Sequence, residues 1–336
     1  MTRKYSPPRL IILPCLMMLF TLPAFAQLAN CSGSFLENSG GLGVKVKKFC
    51  EGYDLDWSLD KNEAAFTGGN FCLIAYKGSD TATKCGDDDD ERIMYDASIN
   101  ITGADPDDTS NGKFMLGGKI PVTIKLEGQP DDFYPGQTID LPYTDGKCVC
   151  ADTENQYNLI ITVSKDKILK SGITTNSAVG NFRLNGFHEL GSLNGSVGFQ
   201  ITLTLATGIQ ISGLEDMQLV ENNGSASASQ NFCVFALGTE RFSLRANSEE
   251  GNGESFKLIN SNDETLSYSM KVEDSNSKVE NYAGNKNPIR GWKPSNQYLC
   301  SDHRAENMTL TVNVANTDSV SAGVYSDTMT LTVRPN

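Results

Sequence analysis

Residues 323–333 read Gly-Val-Tyr-Ser-Asp-Thr-Met-Thr-Leu-Thr-Val, and no other stretch constrains the fold as strongly. Tyr325, Met329, Leu331 and Val333 share one parity, while Ser326, Thr328, Thr330 and Thr332 share the other. Successive side chains of a strand point to opposite faces, so this period of two predicts a strand with one face on a core. Such a strand also exposes main-chain donors and acceptors along its edges, and an open edge must be paired or protected. Only Arg334, Pro335 and Asn336 follow it. The expectation is that one neighbour of this strand comes from earlier in the chain or from another molecule.

The same alternation recurs in Val122, Ile124 and Leu126, in Phe199, Ile201, Leu203 and Leu205, and in Leu266, Tyr268, Met270 and Val272. Met308, Leu310, Val312 and Val314 repeat it once more, and long helical periodicity is absent. Many short strands divided by Gly and Asn turns predict an all-β chain of sandwich or barrel type. Residues 221–230, Glu-Asn-Asn-Gly-Ser-Ala-Ser-Ala-Ser-Gln, contain no large apolar side chain and read as a flexible linker. The expected organisation is therefore a domain over 27–220, a linker over 221–230 and a second domain over 231–336.

Residues 1–26 read as a secretory signal. Arg3, Lys4 and Arg9 form a basic start, an apolar run follows, and Ala24-Phe25-Ala26 supplies the small-residue cleavage pattern before Gln27. The run is short for a membrane span, which takes about 20 residues. Cleavage removes three positive charges and takes the formal charge from −13 to −16. An exported chain this acidic is not a nucleic-acid binder, because phosphate contacts need clustered Lys and Arg.

Of the 9 cysteines, Cys15 leaves with the signal. Cys31, Cys50, Cys72, Cys85, Cys148 and Cys150 precede residue 221, and Cys233 and Cys300 follow it. An even number in an exported chain predicts disulfides. Cys148 and Cys150 are too close to bridge each other easily, and the pairing among the first six stays open. A Cys233–Cys300 bridge would close a loop of about 68 residues, worth roughly 4 kcal/mol in the chain-entropy model. No pair has zinc-knuckle spacing, and only His188 and His303 could add imidazole ligands, so neither a metal nor a cofactor is expected.

Enzyme signatures are missing: there is no nucleophile elbow, zinc-protease helix, phosphate loop or dinucleotide fingerprint. His188 reads as a surface-loop residue. The acidic run 87–91 reads as a solvated loop, or as a calcium loop that lacks the usual ligand spacing. Residues 104–108, with Asp105, Pro106, Asp107 and Asp108, read as a solvated turn. Phe133 and Tyr134 occupy a Pro- and Gly-containing stretch, where they either contact a sugar or apolar surface or tuck beneath the loop.

The segment 231–336 resembles the spore-coat-U-like pilin domains of archaic chaperone–usher pili. The likeness is carried by Cys233-Val234, by Leu266-Ser267-Tyr268-Ser269-Met270, by Trp292, and most specifically by Gly323-Val324-Tyr325-Ser326-Asp327-Thr328 before the last strand. Ile209 to Leu219 resembles the junction before such domains. The resemblance implies two immunoglobulin-like sandwich domains, the C-terminal one incomplete and lacking its last strand. Tyr325, Met329, Leu331 and Val333 would mark the edge strand that receives a donor strand. The donor would come first from a periplasmic pilus chaperone and, after the outer-membrane usher, from an adjacent pilin subunit. The early Cys31 leaves little room for a donor extension after Gln27, and a whole domain precedes the pilin-like one. Both point to a tip or minor subunit at the cell surface, with attachment through the N-terminal domain and Phe133 and Tyr134 as ligand-binding residues. The alternatives are a coat or shaft component without a ligand and, further off, a secreted polysaccharide-acting enzyme.

Overall fold

The computed structural model describes residues 9–12, 31–39, 42–77, 93–141, 156–188, 194–251, 255–282, 288–295, 297–298 and 306–336. Their regular structure is almost wholly strand, the one α-helix being Lys165–Lys170. The chain divides into two compact units. One comprises Leu22–Ser171 and Ser177–Ala206. The other comprises Gly172–Asn176 and Thr207–Asn336, together with the segment Arg9–Ile12.

Two sheets make the N-terminal unit. The first runs Gly33–Ser39, Leu42–Phe49, Glu63–Lys77, Gln156–Ser164, Ile120–Leu126, Lys113–Leu116 and Thr109–Ser110, with Ile93–Tyr95 beside Glu63–Lys77. The second runs Thr138–Leu141, Ala97–Gly103, Ser177–His188, Asn194–Leu205 and Gly52–Trp57. The expected alternation holds along Ile120–Leu126, where Val122, Ile124 and Leu126 are buried and Thr123 is exposed. Aromatic rings join the sheets edge to face. Phe49 meets Phe199 at 5.3 Å between centroids, and Phe114 meets Phe182 at 5.5 Å. Each such pair contributes about 0.5–1.5 kcal/mol beyond the area it buries.

Two expectations for this unit change. His188 is no surface-loop residue: it ends the strand Ser177–His188 and is buried. The inward parity of Phe182, Leu184 and Gly186 simply continues to it. Asp108 is also buried, although its stretch does form a turn, Pro106–Asp108. Its carboxylate accepts the N–H of Asp105 at 2.8 Å and that of Asn181 at 3.0 Å, so it ties the turn to the second sheet. Cys31 and Cys50 form a disulfide, and Cys72 is disulfide-bonded as well. Cys85, Cys148, Cys150 and the acidic run 87–91 lie outside the described residues.

The C-terminal unit is a sandwich whose two sheets pack Phe232, Phe242, Phe256, Trp292, Leu310 and Met329 into one core. One sheet runs Gly208–Ser212, Ser225–Leu237, Met308–Ala315, Thr265–Asp274 and Lys257–Ile259, with Val220–Asn222 and Val279–Tyr282 paired alongside. The other is Met217–Gln218, Arg9–Ile12, Asp327–Pro335, Phe242–Ser248 and Ile289–Trp292.

The expected linker is part of this sandwich. Val220–Asn222 and the first residues of Ser225–Leu237 form a hairpin, and Ser225 to Phe232 pair with Met308–Ala315. Asn223 and Gly224 take φ of 51° and 80°, the left-handed pair that a tight two-residue hairpin turn requires. Ala226 faces the core between exposed serines, so the small residues are a strand packed closely rather than a tether. The main segment of this unit therefore begins at Thr207, and Met217 and Leu219 belong to its core.

Candidate functional site

The terminal strand, Asp327–Pro335, lies inside its sheet. On one side it pairs antiparallel with Phe242–Ser248, from Phe242↔Pro335 to Ser248↔Met329. On the other side Arg9–Ile12 runs parallel to it, with Leu10↔Asp327, Ile11↔Thr328 and Ile12↔Met329. Arg9–Ile12 also pairs antiparallel with Met217–Gln218. A short segment from the expected signal thus fills a slot between two strands of the C-terminal unit. Among the described residues, no strand pairs with the terminal strand beyond Met329 on that side. Ile209, Ile211, Leu214 and Val333 are only partly buried against the core.

Of the residues expected to mark the edge, Tyr325, Met329 and Leu331 are buried in the core and Val333 is half-buried. Their side chains shape the interior. What the strand presents to a neighbour is main chain, as in any strand addition, and side-chain selectivity then comes from the core surface that the incoming strand covers.

The residues before the strand fix where its pairing starts. Tyr325 Oη lies 2.9 Å from the Ser321 carbonyl and 3.0 Å from Glu264 Oε2. Ser321, Asn260 and Tyr325 hydrogen-bond Glu264 and hold its carboxyl below the usual carboxylate range. Ser326 exchanges two main-chain hydrogen bonds with Ile259, each 3.0 Å. Asp327 is buried: Tyr268 Oη donates to its Oδ2 at 2.5 Å, and the Glu250 N–H donates to its Oδ1 at 3.1 Å. Burial first, and this hydrogen bond second, push the Tyr268 phenol far above its ordinary value. Tyr-Ser-Asp-Thr and Leu-Ser-Tyr-Ser-Met, noted separately in the sequence, are thus two sides of one contact.

The other expected site residues separate. Cys233 is disulfide-bonded, and Cys300 lies outside the described residues. Phe133 is buried at 3% exposure while Tyr134 is 53% exposed, so the aromatic pair is one anchor and one presented ring. The loop that carries both rings is held to the sheet by the Lys125↔Asp132 bridge. Among the described residues, no cluster of three or more His, Cys, Asp and Glu could hold a metal. No helix there is long and apolar enough to cross a membrane.

No family model and no curated protein matches the sequence. Solved structures that align with this chain include the chaperone–tip adhesion subunit pre-assembly complex from archaic chaperone–usher Csu pili of Acinetobacter baumannii. That match has 11% identity and a TM-score of 0.42, and covers 84% of this chain and 97% of that one. The CooA pilin subunit from enterotoxigenic Escherichia coli aligns at 11% identity and a TM-score of 0.29, over 52% of this chain and 99% of that one. A tip adhesin from Pseudomonas aeruginosa aligns at 8% identity and a TM-score of 0.29, over 80% of this chain and 89% of that one. At such values no function passes from those proteins to this chain.

Proposed function

We propose that this chain is an exported subunit of a chaperone–usher-type surface fibre, whose C-terminal unit accepts a donor strand and whose N-terminal unit attaches to a surface. The observation that carries the reading is the parallel insertion of Arg9–Ile12 between Asp327–Pro335 and Met217–Gln218. Signal cleavage before Gln27 would remove that strand and open the slot. A periplasmic chaperone strand, and after passage through the outer-membrane usher the strand of an adjacent subunit, would then take its place. Strand addition suits this edge because main-chain pairing supplies affinity whatever the partner's sequence, while an apolar core surface selects apolar side chains. The tip position is supported by the extra domain, which carries its own disulfide and its own exposed aromatic.

The test uses residues 27–336, with and without a synthetic peptide of residues 5–14. The chain alone should aggregate or unfold non-cooperatively, and the peptide should return a monomer with a higher Tm. A monomeric chain that unfolds cooperatively and ignores the peptide would refute the proposal.

A further inference from the structure

The first sheet of the N-terminal unit carries a concave site that strand exchange does not use. Thr123 stands directly opposite Thr162, and Ser164 opposite Glu63, so adjacent strands set hydroxyls and a carboxylate side by side on the outer face. The loop after Ile120–Leu126 adds Tyr134 to this face. Three contacts hold that loop: Phe133 N–H to the Ile124 carbonyl at 2.8 Å, Gly136 N–H to the Ile101 carbonyl at 2.8 Å, and Lys125 Nζ to the Pro130 carbonyl at 3.0 Å. With Phe133 buried as its anchor, the Tyr134 ring is presented on a fixed backbone. The cavity measures about 220 Å³, and Lys113, Lys167 and Asp132 complete its polar lining.

We infer that this cavity binds a single neutral hexopyranose ring, such as the terminal residue of a surface glycan. The volume is below the roughly 300–1,000 Å³ of sites that enclose drug-sized ligands, which leaves room for one ring. Hydroxyls both donate and accept, carboxylates accept and ammonium groups donate, so the lining can answer every kind of sugar hydroxyl. Lys113 and Lys167 balance Glu63 and Asp132, and the pocket therefore does not select an anion, although the whole chain is strongly acidic. An exposed tyrosine ring offers a flat apolar surface to the C–H face of a pyranose at small conformational cost. This assignment rests on the reading of the N-terminal unit as the binding half, and it is independent of strand exchange.

The experiment measures binding of the methyl glycosides of glucose, galactose and mannose, and of N-acetylglucosamine, at millimolar concentration. It uses the peptide-complemented mature chain and saturation-transfer NMR, with attachment to polystyrene and to glycan-coated beads measured in parallel. At least one glycoside should bind, Tyr134→Ala and Thr123→Val should each weaken it by about tenfold, and Tyr134→Phe should retain it. Circular dichroism of each variant, all at exposed positions, checks the fold. Absence of binding by every glycoside, or binding unchanged in both Tyr134→Ala and Thr123→Val, overturns the inference. Attachment to polystyrene that falls in Tyr134→Ala but not in Thr123→Val, without glycoside binding, also overturns it and leaves the attachment role standing as apolar contact. Loss of attachment to both surfaces by the wild-type chain removes the attachment role itself.

Discussion

Replacing Tyr268 with Phe isolates the contact that sets the start of the terminal strand. The phenol donates to Asp327 Oδ2 at 2.5 Å, and both residues are buried. Phe keeps the ring stacked on Phe256, where the centroids are 5.3 Å apart, so little packing is lost. What disappears is one hydrogen bond to an acidic group, worth about 1.5–3 kcal/mol, with the Glu250 N–H left as a donor to the other oxygen. A loss of about 2 kcal/mol should lower Tm by roughly 6 °C for a unit of this size. Each unit holds one tryptophan, Trp57 in the first and Trp292 in the second, so urea unfolding of a Trp57→Phe background reports the relevant unit through Trp292. The alkaline limb adds a second reading. A raised phenol pKa means that the stabilisation is whole below the unfolded tyrosine value of about 10 and declines as pH rises above it, because only the unfolded chain then releases the proton. Wild type should therefore lose stability more steeply above that pH than Tyr268→Phe. A loss below about 0.5 kcal/mol, or equal alkaline slopes, would refute the role given to this pair.

Met329→Ala should cost about 2–5 kcal/mol, while Thr328→Ala on the opposite face stays within about 0.5 kcal/mol, both measured by urea unfolding. With a donor peptide present, a fragment starting at Thr207 should fold and one starting at Asn231 should not, because the shorter one lacks Gly208–Ser212, Met217, Leu219 and the start of Ser225–Leu237; circular dichroism and size-exclusion chromatography decide. The lowered Glu264 carboxyl pKa contributes stability above the unfolded carboxylate value that is lost as pH falls through the folded one, so Glu264→Gln should flatten the acid limb of an unfolding series without moving the alkaline limb.

Strand identity was legible in the sequence wherever one face of a strand meets a core. Leu266, Tyr268, Met270 and Val272 are all buried, as their spacing predicts, because a strand's geometry repeats every second residue whatever lies beyond it. The terminal strand's need for a second neighbour was legible for the same local reason. Composition failed at 221–230. Small polar residues read as a tether, yet pairing with Met308–Ala315 makes them a strand, and only Asn223-Gly224 carried a local signal of the hairpin. The division of Phe133 from Tyr134 was likewise undetermined, since one backbone contact to Ile124 decides which ring goes under the loop. The sequence by itself determined an all-β chain with an inward-facing terminal strand, because alternation and turn chemistry act over a few residues. Tertiary structure alone decided which strand lies beside Asp327, that Tyr268 reaches its carboxylate from 59 residues away, and that Thr123, Thr162 and Tyr134 share one cavity. Those facts depend on pairings between distant segments, whose free energy is spread over whole sheets and is written in no single stretch.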